Sequence, residues 1–462
     1  MAPKFGTSGL RGLVSELTDG LCAGYARAFL AAVPHRGTLM IGRDLRPSSV
    51  RIAGAVAAAA RASGLRVRDC GELPTPALAL AAMTSGAPSI MVTGSHIPAD
   101  RNGLKFYSAT GEITKADEAA ILAAYAGDAA APPAAPEPFD AALPAYAGRY
   151  RDGFGPAALS GLRVGVYEHS SVARDLLRGL LALLGAKVVA LGRSDIFVPV
   201  DTEAVDAGTR ARLAGWAAEH RLDAIVSTDG DADRPLVADG TGTVIPGDIL
   251  GTLTALALGA RTVVTPVSSN TMIEATGCFA TVRRTRIGSP HVIAAMAAAM
   301  PDPGARTVGF EANGGFLLGF EAEGPAGPIA PLLTRDAMLP ILVPLAEAVR
   351  QRRPLSALVA ALPDRRTASD RLENIPTETS QAFVARLTGD ASARARFFAG
   401  LGPEAGIDTT DGLRIGFASG AIVHLRPSGN APELRCYAEA GDAAEADALV
   451  RRTLAAIRAT MA

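Results

Sequence analysis

Long apolar runs are missing from this 462-residue sequence: stretches such as Ile52–Ala60 and Leu339–Val349 are too short to cross a bilayer. Lysine is nearly missing as well. Only Lys4, Lys105, Lys115 and Lys187 interrupt an otherwise all-arginine set of 45 basic residues, a bias that genomic base composition explains. A lysine kept in such a chain is a candidate for the one property arginine lacks, giving up a proton near neutral pH. Cysteine is rare: Cys22, Cys70, Cys278 and Cys436 lie far apart with no C-x-x-C pair. That excludes a disulfide framework or a cysteine zinc site and leads us to expect reduced, buried thiols in a cytoplasmic protein. Excess charge is also absent, with a net charge of −1, which gives no support for a nucleic-acid or anionic-membrane partner. The residues after Met1 do not read basic-then-apolar, so no signal peptide is expected.

What is present is apolar content of 48%, enough to fill the cores of three or four domains. A repeat emerges when the apolar runs are aligned. Thr38–Ile41, Leu162–Val166 and Thr262–Thr265 each read as a strand. The loops that follow carry Arg46-Pro47-Ser48-Ser49-Val50, His169-Ser170-Ser171-Val172 and Val267-Ser268-Ser269-Asn270. A helix and a second strand complete each copy, and the paired serines are expected to cap the helix N-termini. Each copy leads to a further buried strand with a polar loop after it: Ser89–Val92, Ala224–Ser227 and Thr307–Phe310. In open α/β sheets such carboxyl-end loops build the ligand site. The reading is α/β: three similar mixed-sheet domains and a C-terminal α+β domain around a central cleft. Boundaries are set at 1–146, 147–248, 249–362 and 363–462. Ala129–Pro138 is a linker or surface segment, and the region around Ala361–Asp370 is a separator.

Asp229-Gly230-Asp231-Ala232-Asp233-Arg234 is the sharpest local signal. Alternate carboxylates in one turn can point at a single hard cation such as Mg²⁺. An EF-hand is excluded, because Arg234 and Gly240 stand where that loop needs Gly and Glu. Ser95, in Thr93-Gly94-Ser95-His96-Ile97-Pro98, is a turn serine able to present a nucleophilic hydroxyl. Ile97 removes the second glycine of a hydrolase elbow. Asn102-Gly103-Leu104-Lys105 reads as a turn that returns Lys105 to the same place, as proton carrier or phosphate contact. Glu311 and Asn313 flank Ala312 and, in an extended loop, face one side to hold vicinal hydroxyls. Arg426-Pro427-Ser428-Gly429-Asn430-Ala431-Pro432 offers groups suited to a phosphate dianion.

Together with the opening Lys4-Phe5-Gly6-Thr7-Ser8-Gly9-Leu10-Arg11-Gly12, these motifs resemble the α-D-phosphohexomutase family in order and over nearly the whole chain. The resemblance implies an intramolecular phosphotransferase with Ser95 as the phosphorylated residue. Asp229, Asp231 and Asp233, with the Ser95 phosphate, would be the Mg²⁺ ligands. Lys105 would be a general acid/base, and Arg11, His96 and Arg234 further active-site groups. Glu311 and Asn313 would bind sugar hydroxyls. Arg426, Ser428, Gly429, Asn430 and Arg435 would bind the phosphate that is not reacting. A hexose 1,6-bisphosphate would serve as intermediate and activator, with a phosphosugar substrate and a monomer or homodimer as the assembly. The chain departs from the family pattern at Ile97, where Asn is usual, and at Gly315, where many members have His; His291 is a candidate to compensate.

Phosphomannomutase activity, with phosphoglucomutase activity beside it, is the first expectation. A phosphoglucosamine or acetylglucosamine-phosphate mutase is the alternative within the family, and a metal-dependent sugar phosphatase the alternative outside it. A phosphosugar sensor would not need Ser95, Lys105 and all three aspartates.

Overall fold

The computed structural model describes residues 4–6, 9–130, 132, 135–428 and 432–461. Thr7 and Ser8 of the opening motif, and Gly429 and Asn430 of the phosphate-loop motif, lie outside the described residues. Chain contacts divide the protein into two compact units, Met1–Val263 with Gly288–Val359, and Val264–Ile287 with Ala360–Ala462.

In the first unit the parallel strands Thr38–Arg43, Arg66–Glu72 and Ser89–Val92 pair beside the antiparallel strand Arg101–Ser108, which also pairs with Leu10–Leu13. Ser89–Val92 is buried along its whole length, as a strand covered on both faces must be. Leu39, Ile41, Ile90 and Val92 pack there against Phe29, Ile52 and Val56 of the covering helices Asp19–Ala32 and Pro47–Ala62. A second sheet repeats the plan: Lys187–Arg193, Arg163–His169 and Ala224–Thr228 are parallel, and Pro235–Asp239 turns back antiparallel. Thr307–Phe310, Phe316–Leu318 and Leu332–Asp336 form a third antiparallel ladder. The second unit is an antiparallel sheet in the order Arg366–Glu373, Glu433–Ala440, Ile422–Pro427, Leu413–Phe417, Glu404–Asp408. The helix Ala443–Met461 supplies Leu449, Leu454 and Ile457 to its core. The segment Val264–Ile287 belongs to this unit through bonds from Thr271 N to Glu439 (3.2 Å), Asn270 Nδ2 to Arg365 O (3.0 Å) and Ile287 N to Asp411 (3.0 Å).

Three sequence expectations are corrected. The paired serines make no side-chain cap on the three helices, although Ser171 Oγ accepts from Ala173 N just before the second (3.0 Å); buried polar neighbours also engage their hydroxyls. Ser49 donates to Asp44 (2.6 Å), Ser171 pairs with Thr228 (2.6 Å), and Ser269 accepts from Thr265 (2.7 Å). Asn102-Gly103-Leu104-Lys105 is strand rather than turn: Asn102 Nδ2 donates inward to Ser48 and Ser49, and Gly103 lets neighbouring backbones approach. Near the expected separator around Ala361–Asp370 the chain passes from the first unit to the second, at Val359 and Ala360, and the edge strand Arg366–Glu373 of the second unit begins there. Cys22 and Cys436 are buried free thiols, but Cys70 is half-buried and Cys278 exposed in the loop after a short helix. Of the Ala129–Pro138 segment, Glu137–Pro138 forms a short strand paired with Arg68–Asp69. Among the described residues no helix is long and apolar enough to cross a membrane.

Candidate active site

Three strand ends of the first unit supply the chemistry. Ser95 follows the strand Ser89–Val92, and its backbone is left-handed, with φ of +53°, which is unusual for a side chain-bearing residue. Its Oγ is fully buried and donates to Asp229 Oδ2 at 2.5 Å. Asp229, Asp231 and Asp233 follow the strand Ala224–Thr228, and all three are solvent-inaccessible. Gly230 is required between them, because a Cβ there would lie 2.8 Å from the Ser95 carbonyl oxygen. The metal and serine loops are thus in backbone contact.

The three carboxylates each offer an oxygen within 4.8 Å of the others. Asp231 Oδ1 and Asp233 Oδ1 are buried without a hydrogen-bond partner. Buried acceptors in that state are costly unless something positive meets them. An all-oxygen donor set with orphaned lone pairs fits a hard divalent cation. Part of the charge is met by the protein itself. Lys105 Nζ lies 2.5 Å from Asp231 and 2.6 Å from Asp233, and Arg335 lies 2.8 Å from Asp233. Burial, then repulsion from Asp231 and Asp233, pushes Asp229 well above the usual carboxyl range. Burial would push Asp233 the same way, but Arg335, Lys105 and Arg234 outweigh it and hold its carboxyl low. Thr75 fixes Asp231 twice, by Oγ1 to Oδ2 (2.5 Å) and by its backbone N–H to the Asp231 carbonyl (2.9 Å).

His96 and two arginines close this group. Arg234 Nη1 lies 2.9 Å from His96 Nδ1, and an arginine can only donate, so His96 Nδ1 is an acceptor and its proton sits on Nε2. Burial first, then Arg234 and Arg11, lower His96 to about 2. His96 is therefore neutral at every working pH. Half-buried Arg11 is lowered to about 10, by desolvation first and then by Arg234.

Models of the phosphoglucomutase/phosphomannomutase domains match in order: alpha/beta/alpha domain I over residues 2–131, domain II over 151–242, domain III over 246–365, and the C-terminal domain over 349–456. The chain belongs to the phosphoglucomutase/phosphomannomutase family. A phosphomannomutase of Sinorhizobium fredii (strain NBRC 101917 / NGR234) is 48% identical over 474 residues, spanning 100% of both chains. One of Salmonella muenchen is 44% identical over 99% of this chain and 96% of its own. A phosphoglucosamine mutase of Frankia casuarinae is 30% identical over 100% of this chain and 99% of its own. A Burkholderia thailandensis structure of the phosphoglucomutase/phosphomannomutase family shares the fold, with a TM-score of 0.76 at 21% identity over 98% of this chain and 97% of that one.

Against that family frame, the third loop differs from its sequence expectation. Glu311–Gly315 is a tight turn, closed by Gly314 N to Glu311 O at 2.9 Å, rather than an extended loop. Asn313 Oδ1 accepts from Gly315 N (3.0 Å), and Arg335 reaches Glu311 at 3.5 Å, so both side chains are fixed from within. The unforeseen residue is Arg335. It is 2% exposed, touches Asp233 and Glu311, and lies 3.8 Å from Glu112. Its stem fills the space beside Gly315, where a Cβ would stand 3.0 Å from Arg335 Cγ. The signal available in the sequence was a charged pair, Arg335-Asp336, ending an apolar strand. His291 sits half-buried on the helix Ser289–Ala299.

In the second unit Arg426, next to last in the strand Ile422–Pro427, is in register with Arg435 and donates to Asp411 at 2.8 Å. Buried Ser428 donates its backbone N–H to Glu433 O at 2.9 Å. Arg435 lies 3.4 Å from Glu433.

Proposed function

We propose that this family member moves phosphate reversibly between C6 and C1 of a hexose phosphate. Mannose phosphates are the first substrates and glucose phosphates the second. The observation that carries the reading is the contact between Ser95 Oγ and Asp229, inside a buried acidic triad with unpartnered oxygens. The preference for mannose is supported by the relatives bearing that name at 48% and 44% identity, against 30% for the phosphoglucosamine mutase.

Asp229, Asp231 and Asp233 would hold Mg²⁺, with a phosphate oxygen on Ser95 completing the set. The ion supplies positive charge against the oxygens of the phosphoryl group when bound. Arg234 and Arg11 add fixed cationic charge beside Ser95 and lower the cost of the charge that builds during transfer. In one half-cycle the Ser95 O–P bond breaks as a P–O bond forms to the free sugar hydroxyl; the Lys105 ammonium would give a proton to the departing Ser95 Oγ and take one back from that hydroxyl. In the other, the sugar O–P bond at the opposite carbon breaks as a P–O bond forms to Ser95 Oγ, and the proton lost from the Ser95 hydroxyl goes to the departing sugar oxygen. The bisphosphate is the bound intermediate, and free hexose 1,6-bisphosphate the activator. His96, its Nδ1 accepting from Arg234, would orient that arginine. Glu311 and Asn313 would hold sugar hydroxyls. Arg426, Ser428, Gly429, Asn430 and Arg435 would grip the other phosphate, which orients the substrate.

Four domains, divided at 1–146, 147–248, 249–362 and 363–462, are part of this reading. So are a cytoplasmic location, supported by four free thiols, and a monomer or homodimer. A coupled assay with mannose 1-phosphate, glucose 1-phosphate and glucosamine 1-phosphate, each with Mg²⁺ and catalytic bisphosphate, tests it. Mannose 1-phosphate should be isomerised fastest. Fastest turnover of the amino sugar would move the assignment to the alternative, and free phosphate without isomer would make it a phosphatase.

A further inference from the structure

Ser95 adopts a left-handed backbone that only its surroundings can enforce, and those surroundings centre on one residue. The Arg46 side chain is fully buried and uses all five of its N–H donors. Nε donates to Asp44 Oδ2 (3.1 Å). Nη1 donates to the carbonyls of Pro98 (2.7 Å) and Arg101 (2.9 Å). Nη2 donates to those of Ser95 (2.9 Å) and Ile97 (2.6 Å). Four carbonyls of the loop from Ser95 to Arg101 thus converge on one planar group. Gly94 permits this, since a Cβ there would lie 2.7 Å from Arg46 Cζ. The ring of Phe197 covers the guanidinium at 3.9 Å.

A second chain of bonds fixes the same loop from the other side. Asp44 accepts from Thr93 Oγ1 (2.7 Å), and Thr93 Oγ1 accepts from the Ser95 N–H (2.8 Å). The Thr93 hydroxyl is thereby held as donor to one and acceptor from the other. Among the described residues no hydrogen bond joins Arg46, Asp44 or Thr93 to the acidic triad; Arg46 meets Asp231 and Asp229 only through charge.

We propose that Arg46, keyed by Asp44 and Thr93, is the positioning residue that aims Ser95 Oγ at its reaction partner. The inference rests on the reading of Ser95 as the phosphoryl carrier. Arginine is needed because lysine has three donors on a point and cannot meet five acceptors laid out around a plane.

The test compares full-length wild type with Thr93→Val, Thr93→Ser and Arg46→Lys. The readouts are the single-turnover rate of labelled phosphoryl transfer from hexose 1,6-bisphosphate to Ser95, kcat and KM for mannose 1-phosphate, and Mg²⁺ affinity by calorimetry. Thr93→Val should lower the transfer rate and kcat about ten-fold or more, and Arg46→Lys about a hundred-fold, as misplacement of a reacting group does. KM and Mg²⁺ affinity should stay within about two-fold, and Thr93→Ser, which keeps the hydroxyl, should recover most of the rate. Should Arg46→Lys fail to fold, Thr93→Val decides. A folded Thr93→Val with wild-type kcat overturns the positioning role, as does a loss expressed only in KM. A wild type that takes no label on Ser95 overturns the underlying reading, and this inference with it.

Discussion

Replacing Lys105 by methionine keeps the length of the side chain and removes one charge from the centre of the site. Lys105 is 3% exposed, with its ammonium between Asp231 and Asp233 at 2.5 and 2.6 Å. Without it, the triad retains Arg335 and Arg234 as its direct cationic neighbours. Removing one partner of a buried ion pair costs about 3–5 kcal/mol, because the remaining charge stays buried. In EDTA the first unit should therefore unfold at a temperature lower by roughly 4–8 °C, a smaller shift per kcal/mol than in a small domain. Magnesium should recover part of this loss. In wild type the cation competes with the ammonium for Asp231 and Asp233. In Lys105→Met that competition is gone, so its affinity should rise by about ten-fold, an extra ~1.4 kcal/mol of stabilisation at saturating metal. The assay is thermal unfolding by circular dichroism, with and without Mg²⁺, and metal affinity by calorimetry. Equal stability of the two proteins in EDTA, or a metal-induced shift no larger in the variant, would refute the reasoning.

Arg335→Met should cost about 3–5 kcal/mol for the same reason and lower kcat, because Asp233 and Glu311 lose their shared cation; unfolding and steady-state kinetics read both. Asp411→Ala removes the acceptor of Arg426 Nε and of Ile287 N, and should raise KM for the phosphosugar by roughly five-fold, the equivalent of about 1 kcal/mol, with kcat little changed. Burial lowers His169 and His424 to about 4, whereas unfolded histidine titrates near 6.5. The unfolded chain therefore binds protons that the folded chain refuses. The stabilisation from the neutral rings is complete above pH ~6.5 and is lost as pH falls from ~6.5 to about 4, by about 3 kcal/mol for each ring. An unfolding temperature at pH 5 equal to or above that at pH 7.5 would contradict it.

Where local sequence determined the outcome, it was readable. Ser89–Val92 and Thr307–Phe310 are short apolar runs buried on both faces, and the strands occupy those residues. Asp229, Asp231 and Asp233 alternate within one turn, so their convergence needed no partner to be inferred. Arg366–Glu373 and Glu404–Asp408 were not readable as strands, because they are sheet edges whose polar side chains carry no apolar alternation. Their structure comes from pairing with Glu433–Ala440 and Leu413–Phe417. Thr75, Arg46 and Arg335 were illegible as site residues for a related reason. Each is brought to the serine or aspartate loop by a separate stretch of chain, and only the fold unites them. Asn-Gly at 102–103 misled in the opposite way: its local turn preference is overridden by bonds to Ser48 and Ser49.

Ser95 carries the account, and the direct test is to find the phosphate on it. Wild-type enzyme incubated with labelled hexose 1,6-bisphosphate and Mg²⁺ should yield one labelled peptide, that containing Ser95. The label should leave on addition of unlabelled mannose 1-phosphate and appear in sugar bisphosphate, and Ser95→Ala should take up none. Label on another residue, or full isomerase activity in Ser95→Ala, would contradict the mechanism proposed for this chain.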